Sequence, residues 1–240
     1  NQELIDGNKS YLQYHFSPMD SLIDEEQFLE KDTIIHSFSL KSQVIYSKEK
    51  LELMDKVIEG NIIIVSEKGI VIGANTSING VLFYAPEILI EDGFNGNLQA
   101  FASDSIYVGK SVVLYYPSVI GLIKNQTTSE MSEIIIDDNT RITGVVFAYT
   151  GQENGKSGVY LSVNKKVIIN GQVYCNGAVD LKGSIFGNLT CQKFLLKTPS
   201  SVYENHLLNA VVDYSKLSPH FIGINLTDNT ETRNIVRWLE

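Results

Sequence analysis

The side chains in this sequence best suited to chemistry are acidic, and they fall into two pairs and one single residue. Glu91-Asp92 and Asp137-Asp138 each follow an apolar run, and Asp104 lies between them in the chain. An inverting glycoside hydrolase needs two carboxyl groups roughly 6.5–9.5 Å apart, one as the acid and one as the base. A polysaccharide lyase would need acidic calcium ligands and a basic residue. Arg141 is the only arginine between residues 61 and 198, which argues against a lyase.

Other catalytic and cofactor signals are weak. No histidine, the usual general base near neutral pH, lies between residues 37 and 205. The polar stretch from Thr150 to Ser157 is spaced like a phosphate-binding loop, but it lacks the first glycine and precedes a strand-like run rather than a helix. We therefore predict no catalytic, cofactor-binding or metal-binding residue and no cofactor, and we expect that the protein is not an enzyme. The histidines are His15, His36, His206 and His220.

Composition limits the elements that could position these residues. The 240 residues are 43% hydrophobic and 20% charged, as in an ordered globular protein. The net charge of −9 argues against binding to a nucleic-acid backbone. The two cysteines exclude a disulfide-stapled scaffold. The longest uncharged apolar stretch, Ser111 to Ile123, is too short to span a membrane as a helix.

An internal repeat decides the predicted fold. Residues 69–85 (GIVIGANTSINGVLFYA) align without a gap on residues 133–149 (EIIIDDNTRITGVVFAY), so that Ile70 falls on Ile134 and Gly80 on Gly144. The apolar pair that opens the unit recurs at intervals of 18, 18, 28, 25 and 20 residues. Its copies are Ile70/Ile72, Ile88/Ile90, Ile106/Val108, Ile134/Ile136, Val159/Leu161 and Val179/Leu181.

Each unit is too short to bury its own apolar face, so copies must stack. Alternating apolar residues between Gly, Asn and Asp turns are typical of short strands, and stacked strands lie about 4.8 Å apart. We therefore predict an all-β fold, namely a single-stranded, right-handed β-helix or solenoid with non-repeating caps at both ends. The alternative, a β-sandwich, gives no reason for side chains to repeat at equivalent positions.

The predicted solenoid occupies residues 61–198 in about six to seven coils, with polar insertions near 125–132 and 151–158. Residues 1–60 are predicted to form an N-terminal cap, with a short acidic helix from Ser21 to Lys31 and strands from Asp32 to Tyr46. Residues 199–240 are predicted to form a C-terminal cap. Its apolar cluster, expected to pack on the last coil, is Ile235, Val236, Trp238 and Leu239.

Stacking also assigns roles to individual residues. Equivalent acids two or three coils apart would be about 10–15 Å apart, too far for a catalytic pair, so we predict that they are polar turn residues. Glycines are expected at corners that need positive φ or close approach of the backbone. Left-handed turns are predicted at Asn75, Asn139 and Asn164.

The two cysteines are predicted to be neighbours. Cys175 and Cys191 occupy the same position in consecutive units, and they are either disulfide-bonded or a pair of buried free thiols.

Tyrosine is abundant, with 12 residues in the chain. A row of outward tyrosines would form a sugar-stacking or adhesive face, whereas inward ones would only pack. Both alternatives stay open from the sequence. The tyrosines in the repeats are Tyr84, Tyr107, Tyr115, Tyr116, Tyr149, Tyr160 and Tyr174.

The spaced Gly-x-apolar units resemble those of bactofilins, which are bacterial polymer-forming β-helix proteins. The resemblance covers about residues 61–198. It rests on Gly80-Val-Leu-Phe, Gly144-Val-Val-Phe, Gly171-Gln-Val-Tyr and Gly183-Ser-Ile-Phe-Gly187-Asn-Leu. The chain is also similar to bacterial envelope proteins in which an N-terminal anchor precedes a β-helical domain. The resemblance implies a structural protein, although the substantial flanking segments here argue against end-to-end polymerisation.

We predict a non-enzymatic structural or surface-interaction β-solenoid of the bacterial cell envelope, in the periplasm or on the outer surface. Its expected partners are protein (a second copy or another envelope protein) or polysaccharide, and no nucleic acid. Because the chain begins at Asn1 rather than Met, a signal peptide or membrane anchor is expected upstream. The alternative is a carbohydrate-binding or carbohydrate-degrading, pectinase-like β-helix protein.

Overall fold

The computed structural model describes residues 21–23, 28–124, 131–151, 158–198 and 200–224. The fold is all-β, as predicted, and strands make up 64% of it. One turn of 3-10 helix, Tyr214–Lys216, follows the last strand. The strands are β1 Ser21–Ile23, β2 Thr33–His36, β3 Gln43–Ser47, β4 Leu51–Leu53, β5 Val57–Gly60, β6 Ile62–Ser66, β7 Ile70–Ile72, β8 Ser77–Ile90, β9 Asn95–Val108, β10 Val113–Lys124, β11 Ser132–Ile136, β12 Arg141–Thr150, β13 Val159–Val163, β14 Ile168–Leu181, β15 Ser184–Lys197, β16 Val202–Glu204 and β17 Val211–Val212.

Apart from β16, these strands pair in parallel, and each segment pairs with the equivalent segment one repeat further along. The pairings build three ladders, which we call A, B and C. Ladder A contains residues 33–36, 57–60, 77–79, 95–97, 113–114, 141–143, 168–170, 184–186 and 211–212. Ladder B contains residues 21–23, 43–47, 62–66, 81–85, 98–102, 118–124, 144–150, 171–175 and 187–191. Ladder C contains residues 51–53, 70–72, 87–90, 105–108, 132–136, 159–163, 178–181 and 193–194.

Equivalent apolar residues of the repeat lie side by side in ladder C. Ile70 pairs with Ile88, Ile88 with Ile106, and Ile106 with Ile134. Each of these four side chains is at most 2% exposed. The prediction that Ile70 and Ile134 share one buried column is therefore confirmed. Full burial of each such side chain contributes about 1.5–3 kcal/mol, so the columns are a main source of stability.

Six of the strands close into a parallel barrel, and the other strands lie outside it. The order around the closed ring is β9, β10, β12, β14, β13, β11 and back to β9. The ring closes because β9 and β14 are long. Residues 95–102 of β9 pair with β10, whereas its residues 105–108 pair with β11.

Glycines stand where the chain passes from ladder A to ladder B. Gly144 pairs with Gly171, and Gly171 with Gly187, at φ values of 152°, 152° and 156°. A Cβ atom on Gly171 would lie 1.8 Å from the carbonyl oxygen of Gly144. Positive φ and close approach of the backbone therefore both require glycine here, as predicted for the corners.

The segment predicted as an N-terminal cap belongs to the ladders. Strands β2, β3 and β4 pair in parallel with β5, β6 and β7, so the repeating pattern begins well before residue 61. The strands predicted between Asp32 and Tyr46 are confirmed as β2 and β3. The prediction that a helix begins at Ser21 is wrong, since Ser21–Ile23 pairs with β3 and this long-range pairing overrides the local helix signal.

The segment predicted as a C-terminal cap continues the sheet in part. Strand β17 pairs in parallel with Ser184 and Ile185 and so extends ladder A, while β16 pairs antiparallel with the end of β15. This segment is therefore not wholly non-repeating. The apolar cluster that includes Trp238 lies outside the described residues, as do residues 125–130 and 152–157 of the two insertions.

Residues with a left-handed backbone conformation, that is, with positive φ, recur where the chain passes from ladder C to ladder A. Asn139 has a φ of 64°, as predicted, but Asn75 and Asn164 do not have positive φ, so the prediction is wrong for these two. In neighbouring corners the positive φ falls at Gly93, Ser111 and Lys166. The path of the corner thus sets the conformation, even where the residue is not one that favours it.

Replacing Gly171 by alanine should lower the free energy of unfolding by about 3 kcal/mol, because the new Cβ collides with the Gly144 carbonyl and φ is strained. Chemical denaturation followed by circular dichroism measures the change. Gly158→Ala is the matched control, since a Cβ there meets no atom within 4 Å. Equal losses in the two variants would contradict the requirement for glycine at the A-to-B corner.

Candidate functional site

The predicted acidic pairs lie where the chain passes from ladder C to ladder A. We call this the C–A corner; it consists of residues 73–76, 91–94, 109–112, 137–140, 164–167 and 182–183. Oδ1 of Asp92 accepts the N–H of Lys110 at 2.7 Å, and Oδ1 of Asp138 accepts the N–H of Lys165 at 3.0 Å. Each carboxylate thus caps the corner of the next segment. Glu91 acts in the other direction, since its Oε2 accepts the N–H of Ala74 at 3.2 Å.

Asp137 accepts three hydrogen bonds. The Tyr107 hydroxyl donates to Oδ2 at 2.7 Å, while the Asn164 amide and the N–H of Asp138 donate to Oδ1 at 3.0 and 2.8 Å. Burial alone would raise the pKa of Asp137, but the hydrogen bonds outweigh it and hold the pKa below its ordinary value of 3.8. A carboxylate with so little affinity for a proton is a poor general acid or base near neutral pH.

Asp104 does not join the other acids. It is exposed and directly precedes residues 105–108 of ladder C, so this whole segment separates it from the C–A corner. Burial, and to a lesser extent the charge of Asp104, raises the pKa of Tyr84. The fold therefore separates Asp104 from the other predicted acids, whereas Asp137, which accepts the Tyr107 hydrogen bond, and Asp92 and Asp138 all lie near enough to Tyr107 for their charges to raise its pKa. Glu91, Asp92 and Asp138 accept backbone N–H groups, which is the turn role that we predicted.

A buried carboxylate, Asp180, escaped the sequence analysis. It is 2% exposed, and its Oδ2 lies 2.7 Å from Nζ of Lys182. The Tyr160 hydroxyl donates to the same oxygen at 3.4 Å, and Nζ of Lys197 lies 3.8 Å from the centroid of the Tyr160 ring. Oδ1 has no hydrogen-bond partner among the described residues. The signal that could have found this site is the pair of charged residues that flank Leu181 at the end of an otherwise uncharged strand.

Tyr160 is held in its neutral form. Burial, followed by the charge of Asp180, raises the pKa of the Tyr160 hydroxyl far above its ordinary value of 10.0. At neutral pH this hydroxyl therefore donates a hydrogen bond and does not act as a base. Asp180 and Lys182 thus form an ion pair, and Tyr160 supports it by donating a hydrogen bond to Asp180.

An aromatic row runs along the outer surface of ladder B. In successive segments it contains Tyr84, Phe101, Gly121, Phe147 and Tyr174. The preceding residue in the first segment, Phe83, is fully buried, and because strand side chains alternate, the row faces outward. Two of the predicted tyrosines thus share an outward row, which phenylalanines complete. The Phe101 and Phe147 rings lie 6.2 Å apart across Gly121, and Tyr149 beside them is 39% exposed.

The two cysteines are free thiols, one of the two predicted alternatives. Cys175 pairs directly with Cys191, as the shared position predicted. Side chains of in-register parallel strands stay about 4.8 Å apart, slightly beyond the 3.5–4.5 Å between Cβ atoms that a disulfide needs. Burial raises the pKa of the Cys175 thiol to about 12, so this thiol is also unreactive.

The described histidines are exposed or half-buried, and none is hydrogen-bonded to another. Nε2 of His36 lies 2.7 Å from the Lys41 carbonyl oxygen, and Nδ1 of His206 lies 2.7 Å from that of Glu204. His220 is exposed, and His15 lies outside the described residues. Within the described ranges, no three His, Cys, Asp or Glu side chains are grouped so that they could hold a metal ion.

Comparison with known proteins finds no matching family model, curated protein or solved structure. In the part of the chain that the structure describes, no helix has the length and apolar character needed to cross a membrane.

Tyr107→Phe should reduce the loss of stability that the protein suffers at high pH. The hydrogen bond to Asp137, together with burial, raises the pKa of Tyr107 to about 12. A raised pKa means that the stabilisation is present below pH 10 and is lost as the pH rises from 10 to about 12. Urea denaturation across this pH range measures the effect. Tyr115→Phe, at a side chain that is 54% exposed, is the control; if both variants follow the wild-type slope, the coupling to Asp137 is refuted.

Lys182→Met should destabilise the protein by about 2 kcal/mol, because Asp180 would remain buried without its cation. The double variant Lys182→Met/Asp180→Leu should recover much of this loss, since no charge is then left unpaired. Lys68→Met removes the lysine of the exposed Lys68–Glu49 pair and should cost less than about 1 kcal/mol. Denaturant titrations of the variants test the set, and a double variant as unstable as the single one would contradict this role for Lys182.

Proposed function

We propose that ladders A, B and C are the three faces of a β-solenoid, in which each turn of the chain contributes one segment to each face. The order of segments along the chain supports this proposal, because A, B and C follow one another repeatedly from residue 33 to residue 194. Such a molecule is a rigid rod whose three outer surfaces extend along its length.

Breaks of register within the long strands favour a solenoid over a simple barrel. The pairing of β8 with β9 shifts between Asn79 and Val81 and again between Ala85 and Glu87. These are the points at which the chain passes from ladder A to B and from B to C. The strands therefore bend at corners, and the six-stranded ring closes because β9 and β14 each supply more than one face.

We infer that this solenoid is a non-enzymatic structural or surface-interaction element of the bacterial cell envelope, displayed outside the cytoplasm. The observation that carries the interaction function is the aromatic row on ladder B. Tyr84, Phe101 and Tyr174 are partly exposed along this row, whereas Phe147 is only 7% exposed. Such outward aromatic rings offer a largely apolar strip on which a partner surface can pack. The capping role of the corner acids is consistent with a structural protein. The envelope location rests on the resemblance of the Gly-x-apolar units.

A carbohydrate-binding or carbohydrate-degrading protein is the second candidate. The same row favours it, because sugar rings present apolar faces that pack on aromatic rings. The two candidates differ in chemistry, since only the degrading protein releases new chain ends from a polysaccharide.

The purified chain should co-sediment with bacterial envelope particles and release no reducing sugar from pectin or from the particles. Tyr149→Ser/Tyr174→Ser should weaken retention roughly tenfold, as expected for two aromatic contacts of about 0.5–1.5 kcal/mol each. Tyr214→Ser is the matched control, because this tyrosine is 69% exposed but lies outside the row. Release of reducing sugar would overturn the non-enzymatic proposal, and equal retention of all variants would remove the aromatic row as the interaction surface.

A further inference from the structure

A groove that shares no residue with the aromatic row is lined by lysines and has room for a ligand. Its volume is about 890 Å³, within the roughly 300–1,000 Å³ of typical ligand sites. It lies between the last C–A corners, the end of β15 and residues 208–209 of the following segment. The lysines that line it are Lys165, Lys166, Lys182 and Lys197.

Three successive segments of ladder C end near these lysines. Val163 pairs with Leu181, so Lys182 begins the corner beside the corner that holds Lys165. Val179 pairs with Phe194, where this ladder ends, and Lys197 follows three residues later and lines the same groove as Lys182. Like charges on adjacent strands are destabilising. Contacts with Asp180 and with the Tyr160 ring offset this cost for Lys182 and Lys197. Lys165 and Lys166 make no ion pair with a described residue, which is the pattern expected of a site that binds an anion.

The last two C–A corners carry lysines and no acidic residue of their own. Glu91-Asp92 and Asp137-Asp138 flank the corner that holds Lys110, whereas Lys165-Lys166 and Lys182 follow one another in the last two corners. Asp138 is the one acid lining the groove, and its Oδ1 is engaged by the backbone N–H of Lys165. In a chain with a net charge of −9, this local excess of lysine selects an anionic ligand.

The lysines differ in how far they are already engaged. Lys182 is paired with Asp180, and Lys197 lies over the Tyr160 ring. The ammonium groups of Lys165 and Lys166 are exposed and make no ion pair with a described residue. Two ammonium groups are thus held in place and two remain for a ligand.

The rest of the lining favours an acidic sugar chain over an acidic peptide. One common way for an extended peptide to bind is to add a strand to a free sheet edge. Here β15 is already paired with β17 at residues 184–185 and with β16 at residues 195–197. Recognition must therefore come from side chains, and the groove offers the hydroxyl of Ser184, the amide of Asn209 and the apolar side chain of Leu208. Hydroxyl, amide and apolar groups together suit a sugar ring.

We propose that this lysine groove binds an acidic polysaccharide, with carboxylates of successive sugars paired to Lys165 and Lys166. The inference rests on the proposed surface-interaction function and assigns it a partner class, on a surface separate from the aromatic row.

Binding of oligogalacturonate to the full chain, followed by isothermal titration calorimetry at low salt, tests this proposal. We expect binding that weakens as salt is added, because exposed ion pairs are screened. Lys165→Gln/Lys166→Gln should weaken binding roughly tenfold, whereas Lys48→Gln/Lys50→Gln, the same charge change at exposed lysines far from the groove, should not. Circular dichroism melting of each variant checks that it is folded.

Other ligands and the tyrosine variant distinguish the possible explanations of binding. A neutral maltooligosaccharide should not bind; equal binding of it would overturn the role of charge. Equal binding of polyglutamate or inorganic polyphosphate would overturn the assignment to a sugar chain. Absence of oligogalacturonate binding, or equal loss in both lysine variants, would overturn the groove. Loss of binding in Tyr149→Ser/Tyr174→Ser alone would overturn the groove but leave the proposed surface-interaction function standing.

Discussion

In-register parallel pairing is the constraint on which the rest of this structure depends. Once Ile70 stands beside Ile88, every residue of one segment shares its environment with the equivalent residue of the next. An inward position must then be apolar in each segment. The corner glycine recurs in three successive segments, at Gly144, Gly171 and Gly187, and Ser118 takes its place in the segment before them. A single misplaced side chain would disturb two neighbouring segments at once.

The same pairing creates an electrostatic difficulty at the corners, where charged residues are also stacked. The acidic corners solve it with hydrogen bonds, because Asp92 and Asp138 each cap the backbone of the next segment and Asp137 accepts bonds from Tyr107 and Asn164. Lysine side chains cannot accept hydrogen bonds and must donate them instead. Lys56, between ladders C and A near the start of the sheet, donates to two backbone carbonyl oxygens, and Lys182 pairs with the buried Asp180. Lys165 and Lys166 make no ion pair with a described residue, so their corner carries a cost that the acidic corners avoid.

The residues that face the interior were the part of the fold that could be predicted from the sequence. The isoleucine and glycine columns follow from the alignment of residues 69–85 with 133–149, since both are imposed by packing that repeats. The first segments were missed, although Leu51-Glu-Leu53 has the same apolar alternation and Gly60-Asn-Ile62 follows it with the same Gly-x-apolar signature. Strand β1 could not be predicted, since three residues carry no period and their pairing partners lie 22 residues away. Asp180 was missed for another reason, because burial of an outward residue depends on Tyr160 and Lys197 from other segments.

Outward positions therefore hold the information about function, since packing inside the ladders does not dictate them. Along the outer surface of ladder B the same position is Tyr84, Phe101, Gly121, Phe147 and Tyr174 in turn. Gly121 is explained by its neighbours, because a Cβ there would lie 2.6 Å from the Phe147 ring and 2.8 Å from that of Phe101. The two phenylalanine rings thus close over the gap and keep the row continuous. A position that takes glycine so that two aromatic rings can approach each other indicates a surface shaped for contact. The lysines of the groove are not covered by neighbouring side chains in this way, so the groove stays open.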